Sequence, residues 1–153
     1  MTAEERLAEL GLQLPAVAKP VAAYLPAVRS GNLVWTSGQL PFVDGVLLET
    51  GKLGVDLDAQ RGADLARICA LNALAAVAAE VGGLRGVRRI VKVVGFVASA
   101  PDFTGQPGVI NGASNLLLEA FGEAGAHARS AVGVAVLPLD APVEVELIVE
   151  VAD

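Results

Sequence analysis

Val143-Glu-Val-Glu-Leu-Ile-Val-Glu-Val151 is the stretch from which the fold is read. Val143, Val145, Leu147, Val149 and Val151 point one way and Glu144, Glu146 and Glu150 the other, the period of a strand with one buried face. Working back from it, Ser130 to Leu137 reads as a second strand, rich in Ala, Val and Gly and nearly uncharged. Pro138 to Pro142 joins the two as a short connection, with a proline restricting each end. Ile110 to Phe121 reads as a helix ending near Gly122 and Gly125, preceded by a loop holding Pro101, Gly105, Pro107 and Gly108. Val87 to Ala98 is a strand with apolar groups on both faces. From Asp58 to Val81 the apolar residues follow a helical period, with Leu65, Ile68, Cys69, Leu74, Ala75, Ala78 and Val81 near one face. Asp58 is its expected N-cap and Gly82-Gly83 its stop.

Asn32 to Ser37 reads as the first strand, and Gly45 to Glu49 as a short strand pairing back on it. Glu4 to Leu10 forms a short helix within an N-terminal extension, residues 1–20, ahead of one domain over residues 21–153. The order β-β-α-β-α-β-β defines an α+β fold, a mixed sheet with two long helices on one face. Two helices cover only that face, yet the strands at 87–98 and 130–137 are apolar on both. A symmetric homo-oligomer is the economical cover for the other.

Composition narrows the function classes. The chain has 153 residues, 54% of them hydrophobic but only 4% aromatic, so the core is built from small aliphatic groups. The longest apolar stretch, Leu65 to Ala79, is interrupted by Arg67 and Asn72 and falls short of the roughly 20 apolar residues of a membrane span. The N-terminus is charged and has no apolar core of a secretory signal. Cys69 is the only cysteine, which excludes an intrachain disulfide and any cysteine-based metal site, and a cytoplasmic setting is expected. The net charge of −6 disfavours nucleic acid as a partner, since phosphates are bound by clustered Lys and Arg. No metal or other cofactor is expected, and Gly31, Gly38 and Gly45 lack the spacing of a nucleotide-binding loop.

Four features carry chemistry. Arg129 opens a nearly uncharged strand, and its planar fork suits a carboxylate, although a solvated arginine or a structural ion pair would fit the same position. Glu144 could take a proton from water or hold it for attack; beside Glu146 and Glu150 it could equally be part of a solvated face. Tyr24, the only tyrosine, and Ser37, followed by Gly38-Gln39, could offer hydroxyls to a ligand oxygen, although an ordinary tyrosine at a core margin and a turn serine fit the residues better on their own. His127, the only histidine, reads as loop structure at a pocket rim.

The segment from Tyr24 to Trp35-Thr-Ser-Gly-Gln39, and the run from Ala128-Arg-Ser130 through Leu137-Pro138 to Val143-Glu-Val-Glu146, resemble the YjgF/RidA family across roughly residues 20–152. Val109-Ile-Asn-Gly-Ala-Ser114 and His127-Ala-Arg-Ser-Ala-Val-Gly133 resemble its longer endoribonuclease L-PSP/chorismate mutase-like branch. The resemblance implies a homotrimer with ligand clefts between subunits, and a small carboxylate-bearing metabolite as partner. It further implies hydrolysis of reactive 2-imino and 2-enamino acids to 2-keto acids and ammonia. By the same resemblance Arg129 binds the substrate carboxylate, Glu144 positions water, and Tyr24, Ser37, Asn115 and Ala131 line the pocket. Ala131 stands where the deaminases often carry Cys, and Gly133 where a Glu is frequent. A non-catalytic binder of small carboxylates is the alternative, and an L-PSP-type endoribonuclease the weaker one.

Overall fold

The computed structural model describes residues 1–19 and 22–153. The domain boundary expected between residues 20 and 21 lies outside the described residues. Helix α1, Ala3–Glu9, opens with a reciprocal cap in which Thr2 and Glu5 satisfy each other's backbone N–H groups. Its Leu7 is buried in the main core, and Glu4 accepts a hydrogen bond from the Leu84 N–H at 2.7 Å. Strands β1, Ala27–Ser30, and β2, Leu33–Thr36, follow, then β3, Phe42–Val43, and β4, Val46–Leu47. The rest of the chain is α2, Ala59–Val81; β5, Val87–Ala98; α3, Gln106–Phe121; β6, Ala128–Val134; and β7, Val143–Val151.

The sheet runs β1-β2-β7-β5-β6, with β5 and β6 parallel and every other pair antiparallel. A parallel pair requires a crossover, and α3 supplies it. Val143, Val145, Leu147, Val149 and Val151 lie fully buried against the helices, as their alternation demands. The opposite face carries Val28, Trp35 and Val132, each roughly half exposed, beside Ile148, Val94 and Phe96. Helix α2 is 23 residues long and apolar enough to cross a membrane by length and composition, contrary to the estimate from Leu65–Ala79. It is instead the core helix, with most of that apolar stretch buried inside the protein. Arg67, which interrupts the stretch, pairs with Glu119 on α3 at 3.1 Å.

Asp58 caps α2 through the Arg61 N–H, and Gly82 ends it in the left-handed conformation at φ 80°. Other expectations are corrected. Residues 27–30 form an edge strand that the proline-flanked sequence hides. β4 pairs with β3 in a separate hairpin, because Asp44-Gly45 turns the chain at positive φ before it can return to β2. Helix α3 starts at Gln106, four residues before the expected Ile110. Pro107 and Gly108 belong to its first turn, where a missing N–H costs nothing. β6 begins at Ala128 and ends at Val134, so Arg129 lies inside the strand and not before it.

Gly112 is where α3 meets α2. A Cβ there would stand 1.9 Å from the Ala63 carbonyl oxygen, so only glycine permits this approach. The contact holds the N-terminal half of α3 against α2, and that half carries one part of the site.

Candidate functional site

Pro107, Asn111 and Ser114 recur at i, i+4 and i+7 and form one stripe along α3. The stripe faces Arg129 on β6. Arg129 Nη1 donates to Asn111 Oδ1 at 2.8 Å and to Ser114 Oγ at 3.3 Å, and Nη2 donates to the Pro107 carbonyl at 3.3 Å. All three acceptors are neutral. Among the described residues the ion pairs are Arg61–Glu49 and Arg67–Glu119, so no carboxylate compensates this guanidinium. A guanidinium has five N–H donors. Three are used here, which leaves two, the one on Nε among them, without an acceptor among the described residues.

Ser114 links Arg129 to His127. Its hydroxyl is 2.8 Å from His127 Nε2, and His127 Nδ1 lies 2.6 Å from the Gly125 carbonyl. A carbonyl only accepts, so Nδ1 carries a proton and donates to it. In the neutral ring Nε2 then accepts from the Ser114 hydroxyl. Ala131, two residues along β6, shares the helix-side face with Arg129 and packs partly buried against the core.

Glu144 occupies a different place. β5 pairs Phe96 with Glu144 on one side and with Val132 on the other, whereas it pairs Val93 with Leu147 and with Arg129. Val93 and Leu147 are buried against the helices, so Arg129 lies on the helix side of the sheet. Glu144, three residues from Leu147, lies on the opposite face. Its carboxylate rests on Gly38, where an added Cβ would come within 2.3 Å of Oε1. Burial pushes the Glu144 carboxyl above its ordinary value, and the neighbouring Glu146 adds to the rise. Glu144 borders a hollow of about 50 Å³ lined also by Lys19, Tyr24, Gln39 and Phe42. That volume has room for a few waters.

The expected site residues thus fall into two groups. Arg129, Ala131 and His127 come together at the β6 edge, and Tyr24 joins Glu144 in the hollow. Within one protomer the groups do not meet. Ser37 spends its hydroxyl on the Leu25 carbonyl at 2.5 Å and so fixes the segment carrying Tyr24. Asn115 is exposed on α3, one residue beyond the stripe that meets Arg129. Asn111 and Ser114 were missed as candidates. Their signal was the polar i, i+4, i+7 spacing with Pro107, visible only once α3 is started at residue 106. Cys69 is fully buried, with a thiol that burial and then the Glu144 charge push well up, which suits a core side chain and not a nucleophile. No group of three His, Cys, Asp or Glu side chains among the described residues could hold a metal ion.

A helix-backed mixed sheet with an uncompensated arginine at its edge and a desolvated glutamate on its open face places the protein in the α+β class. Residues 4–151 match the model of the family described as "YjgF/chorismate mutase-like, putative endoribonuclease", and the chain belongs to that family. It is 48% identical over 145 residues to Protein TCP17 of Trypanosoma cruzi, covering 94% of this chain and 91% of that protein. The structure of a protein of Shewanella oneidensis, described as a "putative endoribonuclease", superposes with a TM-score of 0.96 at 37% identity, over 99% of this chain and 100% of that one. Escherichia coli TdcF, solved with bound serine, is similar at a TM-score of 0.61 and 27% identity, over 89% of this chain and 94% of TdcF.

Proposed function

We propose that this protein hydrolyses small 2-imino and 2-enamino acids to 2-keto acids and ammonia, as a homotrimer in which Arg129 of one subunit and Glu144 of another share a cleft. The observation that carries the reading is the state of Arg129. It is a partly buried cation on neutral acceptors, with two N–H groups left to take a carboxylate side-on. The bound serine of TdcF, which carries a carboxylate beside an amine, supports a ligand of this class. An oligomer is supported independently by the apolar open face around Trp35, Val28 and Val132.

The chemistry asks little of the protein. An enamine first takes a proton from solvent on carbon to become the N-protonated imine, which is electrophilic at C=N. Arg129 fixes the carboxylate, and Glu144 orients a water and accepts its proton as oxygen bonds to the imine carbon. Glu144 then returns that proton to the carbinolamine nitrogen, and the C–N bond breaks to release ammonia as the hydroxyl gives its proton to solvent and becomes the ketone oxygen. Positioning of this kind lowers a barrier by several kcal/mol, up to roughly 7–11 in the best-aligned cases. Its expected compartment is the cytoplasm.

A second reading, a non-catalytic carboxylate binder, draws on Ala131 and Gly133, which leave the wall beside Arg129 without a reactive or acidic side chain. Endonucleolytic cleavage of RNA fits less well. It calls for cationic stabilisation of phosphate, the net charge is −6, and both nitrogens of the one histidine are engaged inside the protein.

The test is to generate 2-iminopropionate in situ from alanine with an amino-acid oxidase, and to follow imine loss with wild type, Arg129→Ala and Glu144→Gln. The proposal expects acceleration by wild type only. Pyruvate binding without acceleration, lost in Arg129→Ala, would instead establish the binder. A monomer in sedimentation equilibrium would remove the shared cleft.

A further inference from the structure

We infer that Ser114 and His127 are positioning residues for Arg129: a relay running from the Gly125 carbonyl through His127 and Ser114 fixes which edge of the guanidinium a carboxylate meets. The inference rests on the carboxylate reading of Arg129 given above.

Ser114 is 8% exposed and its oxygen stands between the Arg129 guanidinium and the His127 imidazole. On one side Arg129 Nη1 donates to it at 3.3 Å; on the other it is 2.8 Å from His127 Nε2. A serine hydroxyl has one proton and two lone pairs. Arg129 donates into one lone pair, and in the neutral ring with Nδ1 protonated Nε2 is the acceptor for the hydroxyl proton. The 2.6 Å contact from Nδ1 to the Gly125 carbonyl sets that tautomer, because only a protonated Nδ1 can make it. Gly125 ends the 3-10 turn Gly122–Gly125 and is itself buried; a Cβ there would stand 2.2 Å from the Leu117 carbonyl oxygen. The relay therefore starts from backbone locked onto α3.

The consequence is directional. Asn111 and Ser114 together engage Nη1, and Pro107 takes one N–H of Nη2. What is left is Nε–H and one N–H of Nη2, donors on the two nitrogens that share an edge of the guanidinium and can meet the two oxygens of a carboxylate. The relay holds a neutral acceptor at Nη1 where an acid would have cancelled the charge. It also denies Nη1 to the ligand, so the ligand is received on one edge only. A monocarboxylate such as pyruvate fits that edge.

The experiment uses the full chain with pyruvate as probe, in wild type, Ser114→Ala, Ser114→Thr, His127→Phe and Arg129→Ala, each checked for folding by its thermal transition. Calorimetric titration should show pyruvate affinity about tenfold lower in Ser114→Ala and His127→Phe, and restored by Ser114→Thr, whose hydroxyl replaces the lost one. Because His127 is the only histidine, its ¹⁵N resonances need no assignment among others. They should report the Nδ1–H tautomer, and they should move on pyruvate addition in wild type but not in Arg129→Ala. Equal pyruvate affinity in wild type, Ser114→Ala and His127→Phe, with binding lost in Arg129→Ala, would overturn the relay and leave the proposed function standing. An Nε2–H tautomer would overturn it by itself. Unchanged binding in Arg129→Ala would instead remove the carboxylate reading on which it rests.

Discussion

The two faces of the sheet handle charge in opposite ways. At the β6 edge a cation rests on three neutral acceptors from α3, with donors to spare. On the open face of β7 a carboxylate is pressed against Gly38, and its loss of water favours the neutral form. The first arrangement leaves positive charge and two donors unspent, and the second holds a group that takes up protons readily. The difference lies in the support: Arg129 rests on a helix packed backbone to backbone, Glu144 on the irregular segment after β2 and on its own flexible stem.

The strongest way to break that comparison is through the two glycines. Gly112→Ala drives a methyl into the Ala63 carbonyl region, with backbone on both sides and no side chain to rotate away. It should destabilise the protein by about 3 kcal/mol or more, the upper range for overpacking, and displace the Arg129 acceptors with α3. Chemical denaturation checks this; a cost below about 1 kcal/mol would mean that α3 yields and is no rigid platform. Gly38→Ala meets the Glu144 side chain from Cγ to Oε1, a chain that can swing away, and Gly38 does not have a positive φ. It should cost less than about 1 kcal/mol while expelling the carboxylate from its hollow. Turnover of the imine should then fall with little change in pyruvate affinity.

Arg129→Lys probes the cation side more gently. Lysine keeps the charge but cannot span Asn111, Ser114 and Pro107 while offering two parallel donors. Pyruvate affinity should fall by roughly ten- to a hundredfold, the worth of one or two charge-assisted bonds. Retention of full affinity would show that charge alone, without the fork, draws the ligand.

Much of this was legible in the sequence, for a physical reason. Val143–Val151 alternates because one face is buried, and that periodicity survives without knowing the partners. Asp58 and Gly82 punctuate α2 through local backbone chemistry, readable within a few residues. The Arg129 position stood out because charge is rare in so apolar a strand. Asn111, Ser114 and the Pro107 carbonyl were not legible, since their role depends on where α3 begins, and Pro107-Gly108 resembles a loop until it is seen as a first turn. The separation of Arg129 from Glu144 was hidden for another reason. Alternation assigns faces within each strand, but which faces of β6 and β7 coincide follows from their register to β5.

The acid side has its own signature in pH. Glu144 titrates above its ordinary value in the folded protein, so between the unfolded and folded values the native state binds more protons than the unfolded one. The contribution of Glu144 to stability therefore falls as pH rises through that interval and stays reduced above it. Glu144→Gln cannot titrate, so its stability relative to wild type should rise across the same interval. Denaturation midpoints measured from acid to neutral pH would reveal this as a flatter profile. Parallel profiles would mean that Glu144 is as well solvated as an ordinary glutamate.

The smallest effect expected is that of Glu146→Gln on Glu144. Glu146 shares the open face two residues away, and its charge is the secondary cause of the Glu144 rise, behind loss of water. Removing it should lower the Glu144 titration only slightly, read from the ¹³C carboxyl resonance of Glu144, and most of the elevation should remain. If the elevation vanished with Glu146, like-charge repulsion and not burial would be its source. The hollow against Gly38 would then be a wet surface crevice, and the contrast with the Arg129 edge would be one of charge sign alone. If most of it remains, the carboxylate is held in a place that water enters a few molecules at a time, which is the condition under which a glutamate can aim one of them.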